Sequence, residues 1–346
     1  MRIVDLFEGG SSSGDCYFIA EIGLNHNGDM QIAKQLIDSA YQAGADAVKF
    51  QKRTVGQLAI KSVLDAKDDR FPNFGTTYRE IRQFLEFEMT EYQELKLYSE
   101  NLGLEFLVTP FDLQALNFLQ PLELSGYKLA SHSVTNLDLV KAVAHLGKPV
   151  IMSTGMSHLD EISEAVNVIL SVNNNLCLLH CVSSYPTPDH DCNLNVIPFL
   201  RERFNLPIGY SGHEKGWLPT LLAVQMGARI VERHITLDTQ MEGFDHKLSL
   251  DPNDLKELIS HIRSLNTIMG TKEKRFLPVE TIARDKYNVS MVSTHELSVG
   301  DILTLNDICW KNPGTGIPRK KIQEFLGKKL AVSVGTDELL RPEMFE

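Results

Sequence analysis

Two histidines, His213 and His234, each stand at the end of a short apolar run, and these two runs are consecutive along the chain. Neighbouring strands of a sheet lie ~4.8 Å apart, so both imidazoles can reach one ion. Imidazoles with oxygen partners and no cysteine suit Mn²⁺, or another divalent ion such as Mg²⁺ or Co²⁺, better than a closed structural zinc site. Glu21 ends the first apolar run and can ligate the ion, or bind or deprotonate a substrate group. These residue types predict a divalent metal site.

Two lysines, Lys49 and Lys128, lie inside apolar runs, where a charge is expensive unless it is paired. Together with nearby hydroxyls they form a candidate pocket for a small dianion such as a phosphate ester. The alternative is that one lysine is a Schiff-base nucleophile. The other polar residues at the run ends are Gln51, Thr109, Ser131, Ser153, Thr154, Ser183, Ser211 and Glu232.

The elements that must position these residues are eight apolar runs, each followed by a helix-like segment. The runs span 17–23, 47–51, 105–110, 127–131, 149–154, 176–183, 207–212 and 229–235. Short apolar strands that alternate with helices indicate a parallel sheet covered on its faces. Eight such units in ~250 residues predict a closed (β/α)₈ TIM barrel with catalytic groups at the C-terminal strand ends. An open doubly wound sheet is the alternative, but no G-x-G-x-x-G follows any run.

The sequence pattern changes near residue 275, which predicts a second domain. We expect a catalytic barrel over 1–275, a charged linker over 276–285 and a small β-rich domain over 286–346. A core of ~60 residues is marginal by itself. The small domain is therefore expected to pack on its own barrel or on that of a partner subunit.

Composition narrows the class of protein. The chain has 346 residues and a formal net charge of −11, which argues against nucleic-acid binding and against a polybasic membrane surface. No apolar run approaches the ~20 residues that span a bilayer. The five cysteines form no CxxC and no regular framework, so buried free thiols in a reducing compartment are expected. We predict a cytoplasmic enzyme.

Several stretches of this sequence resemble the sialic acid (N-acetylneuraminate) synthase family, which includes the legionaminic and pseudaminic acid synthases. In the barrel they are FIAEIGLNHNGD (18–29), GADAVKFQ (44–51), VTPFD (108–112), YKLAS (127–131), IMSTGM (151–156), LLHCVSSYPTP (178–188), GYSGH (209–213) and VERHITLD (231–238). PGTGIP (313–318) and FLGKKLA (325–331) resemble the antifreeze-like (SAF) domain of that family. The resemblance covers nearly the whole chain in the same order.

The resemblance implies an enzyme that condenses phosphoenolpyruvate with the open-chain aldehyde of N-acetylmannosamine or a related N-acylated hexosamine. Water is consumed, phosphate leaves by C–O cleavage, and the product is a nine-carbon 3-deoxy-2-keto acid. His213 and His234 match the metal ligands of the family, and a domain-swapped homodimer is implied. The residues matching the phosphoenolpyruvate site are Lys49, Thr109, Lys128, Ser131, Ser153 and Ser211. Those matching positions near the sugar are Glu21, Gln51, Tyr185 and Asp245.

Three residues depart from the family pattern. Ser133 replaces a glutamate, Ser183 replaces an asparagine of the phosphoenolpyruvate side, and Asn312 replaces an arginine that reaches the sugar's N-acyl group in the partner's site. Ser133 and Asn312 therefore bear on the identity of the sugar. KFQKR, GTTYRE (75–80) and LEF (85–87) resemble the legionaminic-type branch, which uses a 2,4-diacetamido-trideoxyhexose.

Two further interpretations stay open at the level of sequence. One is a Schiff-base pyruvate aldolase that uses Lys128, which leaves His213 and His234 without a role. The other is a non-catalytic sugar-binding protein on an inactive barrel. The presence of both histidines, both lysines and Glu21 argues against loss of the site.

Overall fold

The computed structural model describes residues 2–7 and 16–346. The chain divides into two compact units, the first ending at Gly270 and the second spanning Thr271–Glu346. In the described residues, none of the helices has the length and apolar character that crossing a membrane requires.

Eight parallel strands close into a barrel in the first unit, which confirms the predicted fold. They are β1 (Tyr17–Gly23), β2 (Ala47–Lys52), β3 (Glu105–Pro110), β4 (Tyr127–Leu129), β5 (Val150–Ser153), β6 (Leu176–Cys181), β7 (Ile208–Gly212) and β8 (Ile230–His234). The pairing of β1 with β8 closes the ring and sets Glu21 opposite His234. On the other side of β1, Glu21 is opposite Lys49 of β2.

Two strands, β4 and β6, end two residues earlier than the sequence predicts. β4 ends at Leu129 because a 3₁₀ turn, Ser131–Ser133, follows it and takes up the backbone N–H of Ser133. β6 ends at Cys181, so Ser183 lies in the loop beyond the strand. Ser133 and Ser183 are therefore positioned by loop backbone and not by a β-strand.

In the described part of the first unit, ten helices accompany the barrel. They are α1 (Met30–Ala43), α2 (Lys61–Leu64), α3 (Tyr78–Phe84), α4 (Met89–Asn101), α5 (Leu113–Leu119), α6 (Leu137–His145), α7 (Leu159–Leu170), α8 (Val196–Phe204), α9 (Leu218–Gln225) and α10 (Pro252–Met269). α1 shows how the sequence forms them. The Asp29 side chain caps its N-terminus and the left-handed Gly44 ends it. Ala33, Leu36, Ile37 and Ala40 recur at helical spacing and are buried.

The N-terminal end of the barrel is closed by apolar packing. A 3₁₀ turn, Ile3–Leu6, buries Ile3 and Leu6 against the inward side chains of Tyr17, Ile19 and Leu107. Glu105 accepts hydrogen bonds from the Ile3 N–H at 2.7 Å and the Tyr17 hydroxyl at 2.6 Å. Apolar side chains of the described residues therefore fill this end of the barrel interior, and the polar strand ends lie at the opposite mouth.

The second unit contains α11 (Thr281–Tyr287) and an antiparallel pair, β9 (Ser290–Ser293) and β10 (Ile308–Lys311). It has an apolar core of its own, formed by Met291, Leu297, Leu303, Ile317, Phe325, Leu330, Val334 and Leu340. The prediction of a small β-rich domain is confirmed.

Candidate active site

Two carboxylates and two lysines form a buried charged layer inside the barrel. Lys49 Nζ lies 2.7 Å from Glu21 Oε2 and 3.8 Å from Glu232 Oε1. Lys128 Nζ lies 3.6 Å from the same oxygen of Glu232. All four side chains are almost fully buried. Because each lysine faces a carboxylate, two cations can be held where an isolated charge would be unstable.

Each lysine also donates a hydrogen bond to a hydroxyl on the next strand. Lys49 Nζ donates to Thr109 Oγ1 at 2.9 Å, and Lys128 Nζ donates to Ser153 Oγ at 2.7 Å. The strand alternation therefore presents ammonium and hydroxyl groups together on the inner face. That combination suits an anionic ligand with several oxygens.

A small space bounded by serines lies beside Lys128. Ser131 Oγ accepts a hydrogen bond from the Gly155 N–H at 3.0 Å. A methyl group at Gly155 would lie 2.5 Å from Ser183 Oγ and 2.9 Å from Ser131 Oγ, so only glycine leaves this space open. Ser211 Oγ donates to Glu232 Oε1 at 3.2 Å across the same floor.

The pKa values of the two carboxylates, Glu21 and Glu232, are shifted in opposite directions. Burial raises the pKa of Glu232, but attraction to Lys128 and Lys49 outweighs it and brings the pKa to about 2. Burial raises the pKa of Glu21, and its attraction to Lys49 does not cancel this rise. Burial lowers the pKa of Lys128, with Glu232 opposing the change. Glu232 is therefore the fixed anion of the layer, whereas Glu21 can accept a proton more readily.

The two predicted histidines stand side by side at the mouth, with ring centroids 5.5 Å apart. His213 Nδ1 lies 2.9 Å from the Val182 carbonyl oxygen, which only accepts, so Nδ1 carries a proton and Nε2 has the lone pair of the neutral ring. Burial lowers the pKa of His213, but its contacts with Cys181 and the Val182 carbonyl outweigh this and raise the pKa. Burial lowers the pKa of His234 to about 4, so its ring is neutral at pH 7. His234 Nδ1 lies 3.7 Å from Asp245 Oδ2, and the Tyr185 ring packs against His213 at 4.2 Å.

This donor set fits a divalent ion. In residues 2–7 and 16–346, no three or more histidine, cysteine, aspartate or glutamate side chains are grouped closely enough to hold a metal by themselves. The two imidazoles nevertheless have the form of a ligand pair: both are buried, and His234 Nδ1 lacks a hydrogen-bond partner among the described residues. His213 also has the outer hydrogen bond that fixes a ligating tautomer. Water or substrate oxygens would complete the coordination of such a two-histidine site.

A chain of hydrogen bonds leads outward from the charged layer. Gln51 Nε2 donates to Glu21 Oε1 at 2.5 Å, and Arg53 Nη2 donates to Gln51 Oε1. The Arg53 guanidinium stacks on the Phe111 ring, 3.7 Å from its centroid. The polar wall therefore continues from the barrel interior to its rim.

One cavity of about 400 Å³ collects the predicted barrel residues. Its lining includes Glu21, Lys49, Gln51, Thr109, Lys128, Ser131, Ser153, Ser183, Tyr185, Ser211, His213, His234 and Asp245. The remaining predicted residue, Asn312, belongs to the second unit, where it is exposed directly after β10. Ser133 is buried beside His132, whose Nε2 lies 3.2 Å from its hydroxyl.

Three charged residues of the cavity received no predicted role. Glu232 lies two residues before His234 and therefore shares the inward face of β8 with it. This spacing could have predicted that Glu232 lines the site. Arg53 comes two residues after Gln51 and had the same signal. Arg82 belongs to α3, and nothing in the sequence shows that this helix reaches the cavity.

Comparison with known proteins assigns the chain to a family. The model of the NeuB family matches residues 36–274, which is more than half of the chain. The chain belongs to the NeuB family. A second model, that of the SAF domain, matches residues 288–346.

Named relatives of this NeuB-family chain match along nearly its whole length. The N-acetylneuraminate-9-phosphate synthase of Homo sapiens is 35% identical over 96% of this chain and 93% of its own length. The N,N'-diacetyllegionaminic acid synthase of Campylobacter jejuni is 38% identical over 93% of this chain and 98% of its own. A crystal structure of N-acetylneuraminic acid synthetase from Leptospira borgpetersenii is 34% identical, with a TM-score of 0.68 over 79% of this chain and 91% of that one.

Membership of the NeuB family confirms the predicted family, the SAF domain and the class of enzyme. NeuB-type enzymes condense phosphoenolpyruvate with a sugar. Dependence on a metal ion follows from the family as well, whereas the identity of the ion stays a prediction. The Schiff-base aldolase and the non-catalytic barrel are therefore not favoured.

Proposed function

We propose that this NeuB-family chain condenses phosphoenolpyruvate with the open-chain aldehyde of an N-acylated hexosamine, either N-acetylmannosamine or a close relative. C3 of phosphoenolpyruvate bonds to the aldehyde carbon, water adds at C2, and the C2–O bond to phosphate breaks. The product is a nine-carbon 3-deoxy-2-keto acid. The observation that carries the proposal is the floor of lysines and hydroxyls that lines the same cavity as the paired histidines.

The floor would bind phosphoenolpyruvate. Lys49 and Lys128 supply the positive charge, and Thr109, Ser153 and the space at Gly155 supply hydrogen bonds and room for oxygens. Since both lysines are held by Glu232, their positions are set before the substrate arrives. Fixing the enol phosphate with C3 toward the aldehyde lowers the entropic part of the barrier.

The upper wall would bind the sugar. Glu21 and Gln51 are hydrogen-bonded to each other and adjoin His234 across the strand pairing. Glu21, whose pKa is raised, can supply a proton to the aldehyde oxygen as the new bond forms. Tyr185 packs against His213 and Asp245 lies near His234, and both would contact the sugar hydroxyls.

His213 and His234 would hold the metal ion, and Mn²⁺ is the ion we propose. A divalent ion bound there polarises the carbonyl and favours negative charge on its oxygen. The neutral state of His234 and the fixed tautomer of His213 support this role.

Three finer points of the proposal concern the whole protein. We propose 1–275 as the catalytic domain, 276–285 as the linker and 286–346 as the SAF domain. In a domain-swapped homodimer, Asn312 would reach the partner's sugar site, as the family resemblance implies. A cytoplasmic location agrees with the buried free thiols of Cys16, Cys177, Cys181 and Cys192.

The proposal is tested by phosphate release from phosphoenolpyruvate. The full chain is assayed with Mn²⁺, and with EDTA as the control, against N-acetylmannosamine, 2,4-diacetamido-trideoxyhexoses and mannose. Release that requires metal and one N-acylated sugar is expected. If the diacetamido sugars are the substrates, the enzyme is a legionaminic- or pseudaminic-type synthase. Absence of release with every sugar and every divalent ion would overturn the proposal.

A further inference from the structure

The side-chain amide of Gln51 has two ends of opposite hydrogen-bonding character, and each end meets a charged residue. The donor Nε2 faces Glu21 Oε1 at 2.5 Å. The acceptor Oε1 receives a hydrogen bond from Arg53 Nη2. Because the oxygen and the NH₂ group of an amide are nearly equal in shape, packing by itself does not decide which end points which way. The neighbouring donors and acceptors decide it.

Arg53 is the partner that can fix this orientation. A guanidinium has donors and no acceptor, so the amide oxygen must face it. Glu21 is less selective, since a carboxylate accepts from the amide N–H whereas a carboxylic acid can donate to the amide oxygen. Burial and repulsion by Arg82 lower the pKa of Arg53 to about 10. Glu86 and Asp245 oppose this change, and the guanidinium stays charged near pH 7.

The Arg53 side chain is itself held from several sides. Its guanidinium carbon lies 3.7 Å from the centroid of the Phe111 ring, which is a stacking distance. The Arg53 backbone N–H donates to Glu86 Oε2 at 3.1 Å, and Nη1 lies 3.8 Å from Glu86 Oε1. The side chain is almost fully buried. Arg53 can therefore hold the Gln51 amide in one orientation without moving itself.

The orientation of this amide bears on the reacting groups because Gln51, Glu21 and His234 meet at one point of the wall. A Cβ atom at Gly23 would lie 3.2 Å from Glu21 Oε1 and 3.3 Å from Gln51 Nε2. The same position is 3.4 Å from Cε1 of His234. Lys49 Nζ holds the other oxygen of Glu21 at 2.7 Å. A reversed amide would set its oxygen against the carboxylate, and the repulsion would displace Glu21.

We propose that Arg53 is a positioning residue for the reaction: it fixes the Gln51 amide with its N–H edge toward Glu21. The Glu21 carboxyl group is thereby held beside His234. This inference rests on the proposed function, in which Glu21 and Gln51 form the wall that binds the sugar. Arg53 acts through Gln51 and needs no contact with a substrate. The orientation of the amide is a property of the free protein, so it can be measured without turnover.

The first test measures the amide directly by nuclear magnetic resonance. Full-length protein labelled with ¹⁵N-glutamine gives a side-chain NH₂ signal for Gln51, which is identified by its absence in Gln51→Met. In Arg53→Gln this signal should shift, because an amide can donate or accept and no longer selects one orientation. Its protons should exchange with water about 10-fold faster, as expected for the loss of one hydrogen bond. Arg53→Lys, which has donors only, should keep the signal closer to its wild-type position.

The second test is a double-mutant cycle on phosphate release from phosphoenolpyruvate. Arg53→Gln should lower kcat about 10- to 100-fold, because a misplacement of ~1 Å can cost about 100-fold in rate. The KM for phosphoenolpyruvate should change little, since Lys49 and Lys128 keep their partners. In the Gln51→Met background the same substitution should cost little more, because the route from Arg53 to Glu21 is already lost.

The matched control is Arg79→Gln. Arg79 pairs with Asp65 at 2.6 Å outside the lining of the cavity, so the Gln51 signal and kcat should stay unchanged. Thermal unfolding of each variant separates a displaced amide from loss of fold, and Arg53→Met replaces Arg53→Gln if the latter does not fold. An unchanged Gln51 signal, or independent losses of kcat in the cycle, overturns the positioning role and leaves the proposed function standing. Absence of phosphate release by the wild type with every acceptor overturns both.

Discussion

A fully buried ion pair behind the two histidines offers the sharpest test of how the site is held. Arg233 precedes His234 in β8, and Glu214 follows His213 after β7. Arg233 Nη1 lies 2.8 Å from Glu214 Oε1, and neither side chain has any exposed surface. Nη2 donates to the carbonyl oxygens of Glu214 and Gly216 at 2.8 and 2.9 Å. The pair thus fixes the two backbone segments that carry the histidines.

The perturbation is Arg233→Met, which removes the charge and roughly keeps the volume. Glu214 keeps the donors Thr220 at 2.6 Å and Tyr210 at 2.9 Å, but it becomes a buried carboxylate without a cation. Breaking a buried pair in this way costs about 3–5 kcal/mol. In a unit of this size the Tm falls by ~2 °C for each kcal/mol of lost stability, so we expect the Tm of Arg233→Met to be roughly 6–10 °C lower. Affinity for Mn²⁺ should fall about 10- to 100-fold, as for other residues that orient metal ligands.

The assay is a double-mutant cycle with Arg233→Met, Glu214→Gln and the combined variant. Thermal unfolding is measured in the presence of EDTA, and Mn²⁺ binding is measured by electron paramagnetic resonance. The combined variant should regain most of the lost stability, because no uncompensated charge remains. It should not regain metal affinity, since the backbone hydrogen bonds of Arg233 are still absent. Additive losses of stability, or unchanged Mn²⁺ affinity in Arg233→Met, would refute the reasoning.

The remaining predictions concern the charged layer, the metal ligands and the small domain. In metal-free protein, the pKa of Glu232 is about 2 in the folded state, against ~4.3 in the unfolded chain. Ionised Glu232 therefore adds up to ~3 kcal/mol to the free energy of unfolding above pH 4.3, and this contribution is lost as the pH falls to 2. The difference in unfolding free energy between wild type and Glu232→Gln, measured from pH 7 to 2, should shrink over that window. His213→Ala or His234→Ala should weaken Mn²⁺ binding at least 10-fold and abolish turnover with the fold intact by circular dichroism; full activity in either would exclude the metal assignment. Asn312→Arg should raise kcat/KM for N-acetylmannosamine, and an unchanged value would remove position 312 from the sugar site.

The periodicity of the sequence determined the barrel and most of its inner surface. Each strand is an apolar run with a polar end, and alternate residues share one face, so Lys49 and Gln51 had to point the same way. The rule that parallel barrel strands present their C-terminal ends at one mouth then brought His213 and His234 together. These conclusions need only local pattern and topology.

Tertiary structure alone decided which charges meet. Lys49 and Lys128 share Glu232 because the ring closes across the interior, and no sequence spacing encodes contacts between β2, β4 and β8. Arg82 reaches the cavity because α3, in the long segment between β2 and β3, leaves its side chain there between Tyr78 and Phe244. Such pairings depend on packing between segments far apart in the chain. Local propensity fixed the strands, and long-range packing fixed the electrostatics of the site.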